Sequence, residues 1–511
     1  MRKLGVALAL AMLAGPVRAE WHEAQSENFV IYADDRAEDI QRFGEMLERY
    51  HAAMELLTGR EVSPPSPSSR VTIYVVGSER EFEKLGLGEN VAGFYIPRAG
   101  GSVAFVPNIK VRSGETDFSL IVLMHEYAHH FLISGSRHAM PRWLSEGAAE
   151  FFASAKFPSD GSVEIGRPAY HRAAELTYAA DVSVEELLDH KLYEEQRGKT
   201  LDAFYGRAWA LYHYLSFDEE RRGQLPAYWK SVTAGTSSRE AALSVFGDLE
   251  ELEDDLDSYL RRRRILSYDL PADWLTIGSV GVRQVSEGMA EVLPLVIRSK
   301  RGVDDKTAAE LLSEVQAVAA RFPNDARVLA ALAEAEYDAG NDTAAIAAAD
   351  RAIAADPTVK NAYVQKGYAL FRIAPDAADR DVAYTAAMVP FTALNKLEND
   401  HPLPLIYFYR SYAERGEAPS DHARHALERA SMLAPFDKGL AMQVAMMQAR
   451  EGRIDWARET LQPIAADPHG GDLAGTAQVY LQQLESAVPG EPWYPDAMPT
   501  ATAAINESDV E

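Results

Sequence analysis

The chain has 511 residues, 47% hydrophobic and 25% charged, which is the balance of an ordinary globular protein; at roughly 100–200 residues per domain it holds about two to four domains. A formal net charge of −26 argues against nucleic acid or anionic lipid as a partner. The absence of cysteine excludes disulfides, thiolate metal ligands and a lipid-modified cysteine at a processing site, so any metal site must use His, Asp or Glu.

Residues 1–19 read as a signal peptide. Arg2 and Lys3 open it, Leu4–Ala14 is its apolar run, Gly15-Pro16 breaks the helix, and Val17-Arg18-Ala19 offers small side chains for cleavage. The apolar run is too short to cross a bilayer, and no later stretch is long and apolar enough to do so. The expectation is an exported chain, in the periplasm, with no integral membrane segment after processing.

Residues 20–265 alternate strand and helix signals before turning mostly helical, the pattern of an α+β unit. Asn28–Ala33 and Arg70–Val76 predict strands, and Glu38–Leu57 a helix. Gly93–Pro97 and Ser102–Pro107 flank a Gly-rich turn and predict a hairpin, whose Ser102–Val106 arm is expected at the sheet edge, able to pair with an extended peptide.

Asp117–Ser134 has the apolar spacing of a helix, with Thr116 and Gly135 as expected caps. It carries His125-Glu126-Tyr127-Ala128-His129. Positions four apart lie on one helix face, so His125 and His129 are placed to hold one zinc ion, with Glu126 at the edge of that face as general base. Pro141 then fits the first turn of a second helix, Trp143–Phe152. Sixteen residues lie between His129 and Glu146, enough for the chain to return and bring Glu146 in as third ligand. Glu150, one turn further, is expected to accept a hydrogen bond from His125 and hold its ring. His130, His171 and His213 are weaker candidates.

HEYAHH followed by PRWLSEGAAEFF resembles the gluzincin zinc metallopeptidases, and most nearly the bacterial peptidase MA-like group, exported proteins that often carry trailing TPR units. The resemblance covers roughly residues 20–265 and rests on the two motifs. It implies a zincin-like fold, His125, His129 and Glu146 as zinc ligands, a zinc-activated water with Glu126 as base, and a tyrosine from a later helix stabilising the oxyanion. Tyr205 is the candidate for that tyrosine. The chain has no GxMEN-type anchor for a substrate amino terminus, so endopeptidase action on a peptide or protein is expected over aminopeptidase action.

Residues 266–302 read as a connector, with a strand near Ile277–Val285 and a helix around Glu287–Arg298. Residues 303–485 are Ala-rich and repetitive. Pro323 and Pro357 stand 34 apart, and Pro402, Pro435 and Pro468 follow at intervals of 33, with one longer interval of 45 between Pro357 and Pro402. A period of about 34 predicts stacked helix pairs, an all-α TPR-like solenoid of roughly four units able to recruit a substrate or protein partner. Residues 486–511 lack periodicity and are expected to be disordered. The competing expectation is a cell-envelope adaptor, in which the repeats do the work and the peptidase-like part is inactive or regulatory.

Overall fold

The computed structural model describes residues 20–78, 80, 82, 94–109, 116–134, 138–198, 201–467 and 469–495. The expected signal peptide, the expected cap at Gly135 and residues 496–511 of the expected tail lie outside them. Eight strands are described: β1 (His22–Gln25), β2 (Phe29–Ala33), β3 (Val71–Val75), β4 (Phe94–Ile96), β5 (Val103–Val106), β6 (Val163–Ile165), β7 (Tyr268–Leu270) and β8 (Gly281–Gln284). Six form one sheet in the order β4-β5-β3-β2-β1-β8, while β6 and β7 pair separately. Strands β2, β3 and β5 run parallel, and the flanking strands are antiparallel to their neighbours.

Strand alternation divides this sheet between two cores. Ile73, Val75, Ala104 and Val106 share one core with the helices Ala37–Thr58, Phe118–Ser134, Arg142–Ala153 and Phe204–Phe217. Tyr74, Val103 and Phe105 point the other way, onto Val292, Leu293 and Val328 at the start of the repeats. The VAFV run of β5 is accordingly buried at all four positions, as in a strand covered on both faces.

That burial corrects the edge assignment. Strand β5 pairs with β3 on one side and β4 on the other, so Ser102–Val106 is an interior strand. Among the described residues the sheet ends at β4. A hairpin signal marks two arms but not which arm finds the next strand, and here the more apolar arm takes the interior place.

The strand inside the expected connector, β8, completes the other end of the sheet by pairing with β1. Next to it Glu23 is fully buried, its carboxylate held by Arg283 at 2.8 Å and Arg327 at 2.5 Å. The N-terminal α+β unit and the first repeat helices are thus joined through a shared buried carboxylate.

From Glu287 to Leu484 the chain is a succession of antiparallel helices. Four hairpins, 326–338 with 342–355, 360–373 with 380–397, 402–413 with 421–433, and 438–450 with 454–465, form a TPR-like array. A leading helix pair and the final helix Gly471–Leu484 flank them. The turn at Gly340 has φ of 81°, a conformation open to glycine. The extra length before Pro402 is accommodated by a 3-10 turn at Ala374–Asp376 and the long helix Arg380–Leu397. The expected disordered tail is ordered at its start: Gly490 N donates to Gly452 O, Trp493 N donates to Ala449 O, and the Trp493 ring sits edge-on to Tyr480. Two aromatic side chains in mutual contact outweigh the lack of periodicity there. Among the described residues no helix is long and apolar enough to cross a membrane.

His213 shows how one weak sequence candidate is used structurally. It is fully buried; Nε2 donates to Gly166 O at 2.7 Å and Leu266 O at 3.1 Å, so Nδ1 accepts from the Tyr259 hydroxyl at 2.7 Å. Burial, only partly offset by the two carbonyls, depresses its pKa to about 4. The folded state therefore holds His213 neutral where the unfolded chain titrates near about 6.5. Its contribution is fully present above that value and is lost as pH falls toward 4, by up to about 3 kcal/mol. Thermal unfolding of His213→Gln is expected to show a flatter pH dependence than the parent across that window. Parallel profiles would remove His213 from the account.

Candidate metal centre

Two helices build the site. The motif helix spans Phe118–Ser134 and is capped by Asp117, whose Oδ1 accepts from Leu120 N at 3.0 Å. Thr116 instead reaches toward Ala155 O, so the cap lies one residue later than expected, where the carboxylate meets the third helical N–H. The second helix spans Arg142–Ala153, with Pro141 at its N-cap rather than inside its first turn. It is fixed by Trp143, fully buried, whose indole N–H donates to Tyr228 Oη at 2.9 Å. On its other side Gly147 lies against the carbonyl of Ala208, letting the helix Phe204–Phe217 approach closely.

The structure brings His125, His129 and Glu146 together. Nε2 of His125 and Nε2 of His129 are 3.1 Å apart; Glu146 Oε2 is 3.3 Å from the first and 3.2 Å from the second. All three side chains are buried. Their mutual distances match the edge of a tetrahedron with a cation at its centre. For zinc–ligand bonds of about 2.0–2.1 Å that edge is about 3.3 Å.

Orientation comes from the surrounding groups. His129 Nδ1 meets Ser145 Oγ at 3.2 Å, a partner sequence reasoning did not identify although it lies within the second motif. His125 Nδ1 faces Glu150 Oε1 at 3.1 Å. Glu150 is itself held by His171 Nε2 at 2.6 Å and Arg172 at 2.5 Å. His125 Nδ1 and Glu146 Oε1 are both buried, the first against this Glu150 carboxylate and the second 3.0 Å from a further imidazole, that of His469.

Electrostatics point the same way. Burial opposes a proton on His125, but Glu146 and Glu150 overcome it and raise its pKa to about 10. Burial likewise raises Glu146 and Glu150, yet the imidazoles around them, joined for Glu150 by Arg172, hold both carboxyls well below the usual range. Two ionised buried carboxylates require positive charge beside them. The donor set, two imidazoles and a carboxylate, is the kind that suits zinc.

Glu126 is half-buried and lines a cleft of about 260 Å3 with Tyr95, His129, Ser145, Phe436 and His469. Tyr205 is not among the residues lining this cleft, but its ring centroid is 6.4 Å from that of His125 and 4.6 Å from the Arg172 guanidinium. Burial first, then the Glu146 charge, raise its pKa to about 12, so it is a proton donor at neutral pH. Of the weaker histidines, His171 supports Glu150 and His213 is structural. His130, depressed to about 3 by burial, meets the Tyr95 hydroxyl at 2.5 Å.

His469 is the residue sequence reasoning missed. It lies between Ile454–Ala465 and Gly471–Leu484, at the far end of the repeats, and its Nε2 is 3.0 Å from Glu146 Oε1. One donor atom from each of His125, His129, Glu146 and His469 falls within 4.8 Å of the others. Nothing in its neighbourhood, Asp467-Pro468-His469-Gly470, carries a ligand-spacing signal.

In class, the chain joins an α+β unit bearing this His/Glu group to a TPR-like helical array. A family described as protein of unknown function (DUF1570) matches residues 121–235, the stretch that contains His125, Glu126, His129, Glu146, Glu150 and Tyr205. No curated protein matches the chain. Among solved structures, similarity is found to TTC0263, a thermophilic TPR protein in Thermus thermophilus, at 17% identity over 39% of this chain and 98% of that one, with a TM-score of 0.33. Similarity is also found to a MamA RS-1 ArsTM double mutant, at 16% identity over 39% and 96% of the two chains with a TM-score of 0.26. Yeast Tom70 is similar at 13% identity over 86% and 74%, with a TM-score of 0.28.

Proposed function

We propose that this protein is an exported, periplasmic, zinc-dependent peptidase of the gluzincin kind, whose TPR-like array recruits a protein substrate or partner. The observation that carries the reading is the convergence of His125, His129 and Glu146 at mutual distances of 3.1–3.3 Å. These three residues would hold the zinc ion, and when bound it would supply Lewis-acid polarisation of a peptide carbonyl.

The remaining work belongs to the chain. Glu126, facing the cleft outside the ligand group, takes up the proton of the attacking water and passes it toward the leaving amine. Tyr205 keeps its phenolic proton and is the candidate donor to the developing oxyanion. Glu150, fixed by His171 and Arg172, orients His125. The cleft lies beside β4, which ends the sheet among the described residues, so an extended peptide is proposed to pair along it there.

Metal analysis of the processed protein tests the reading. One zinc per chain is expected in the parent, and none in His129→Ala at equal folded content by circular dichroism. A metal-free parent refolded with excess zinc would end the proposal. The second reading is an adaptor acting through its repeats, favoured by the fact that the array lies across the cleft. It predicts that Glu126→Gln retains full biological function.

A further inference from the structure

We propose that the repeat array closes the site and that His469 serves as a removable fourth ligand, keeping the centre latent until the last repeat is drawn away. The inference rests on the metal-site reading above and deepens it. A catalytic zinc keeps one position open beside three protein ligands, whereas a four-ligand site is closed. Here a fourth donor, supplied from outside the α+β unit, falls within 4.8 Å of the other three. His469 Nε2 approaches the free oxygen of Glu146 at 3.0 Å, while the other oxygen faces His125 and His129. Its ring lies 5.7 Å from that of His129, steeply inclined to it.

The approach is built rather than incidental. Asp437 Oδ2 accepts from Ala99 N at 2.8 Å in the turn between β4 and β5, and Phe436 packs on His130 with ring centroids 4.5 Å apart. Earlier in the array Glu398 accepts from both the backbone N–H and the hydroxyl of Ser68, at 2.9 and 2.8 Å. These contacts bring the array to the cleft, which Phe436, Lys438 and Asp467 line together with Glu126.

The closure is also separable. The His469 side chain remains 51% exposed, at the mouth of the site rather than in a core. In a stacked array each unit depends chiefly on its neighbours, so the terminal unit can shift without unfolding the rest. As an intramolecular ligand His469 acts at high effective concentration, and water enters its place only when the unit moves.

The test counts imidazoles rather than turnover. X-ray absorption of the zinc-loaded full chain is expected to give three imidazole ligands in the parent and two in His469→Gln. Glutamine keeps a donor for Glu146 and so preserves docking, and zinc stoichiometry is expected to stay at one per chain. Peptide cleavage by the variant is expected to exceed that of the parent. Two imidazoles in the parent, or an unchanged count in the variant with zinc bound, overturns the closure and leaves the three-ligand site standing. A parent that takes up no zinc overturns the site itself and the closure with it.

Discussion

Glu126→Gln, placed in the His469→Ala background so that closure does not mask the reaction, is expected to lower peptide hydrolysis by ~10²–10⁴ while zinc content and thermal stability hold. The size follows from chemistry that the amide cannot perform. Glutamine has nearly the volume of glutamate and hydrogen-bonds in the same place, but it cannot take up the proton of the attacking water. Retention of zinc follows from geometry, because Glu126 lines the cleft and is not among the converging donors. Stopped assays on an internally quenched peptide library give the rates, and metal analysis of the same samples gives the loading. Equal cleavage by the two proteins would remove Glu126 from the chemistry. Equal biological function in the intact cell would favour the adaptor.

Much of the site was legible because its information is local. The helix read over Asp117–Ser134 spans Phe118–Ser134, and the one read over Trp143–Phe152 spans Arg142–Ala153. Four-residue spacing on a helix fixes which side chains share a face, and a short return fixes which neighbour they meet. The TPR-like hairpins were legible for a related reason, since the proline interval reports the length of a helix pair.

What was not legible depends on pairings between distant segments. His469 reaches Glu146 across most of the chain, and its position sums small rotations over every intervening helix pair. Strand β1 has the sequence HEAQ, which carries no strand signal; it exists because β2 and β8 supply partners on both sides. Glu23 within it is buried only because Arg283 and Arg327 arrive from the connector and the repeats. The order of β4 and β5 was hidden likewise, since either arm of a hairpin reads as an edge until the third strand is known.

Gly147→Ala is the strongest structural test of how the third ligand is placed. In an ordinary helix this exchange is favourable by about 0.8–1 kcal/mol. At this position an added Cβ would fall 2.4 Å from the Ala208 carbonyl oxygen and 3.1 Å from Tyr212 Cβ. The first obstacle is backbone, so no side-chain rotation relieves it, and the two helices must separate. Overpacking of this kind typically costs about 1–3 kcal/mol, which exceeds the helical gain. The displacement falls on the residue next to Glu146, and a misplacement of about 1 Å at a reacting centre is worth ~10² in rate. The expected result is therefore a lower unfolding midpoint together with weakened zinc binding and roughly 10²-fold slower cleavage. Gly475→Ala is the control: it sits exposed in the helix Gly471–Leu484, with nothing within 4 Å of the added carbon. It is expected to raise stability slightly and leave the metal alone. If Gly147→Ala behaves like Gly475→Ala, the close packing of the Glu146 helix on Phe204–Phe217 is not what sets the ligand geometry.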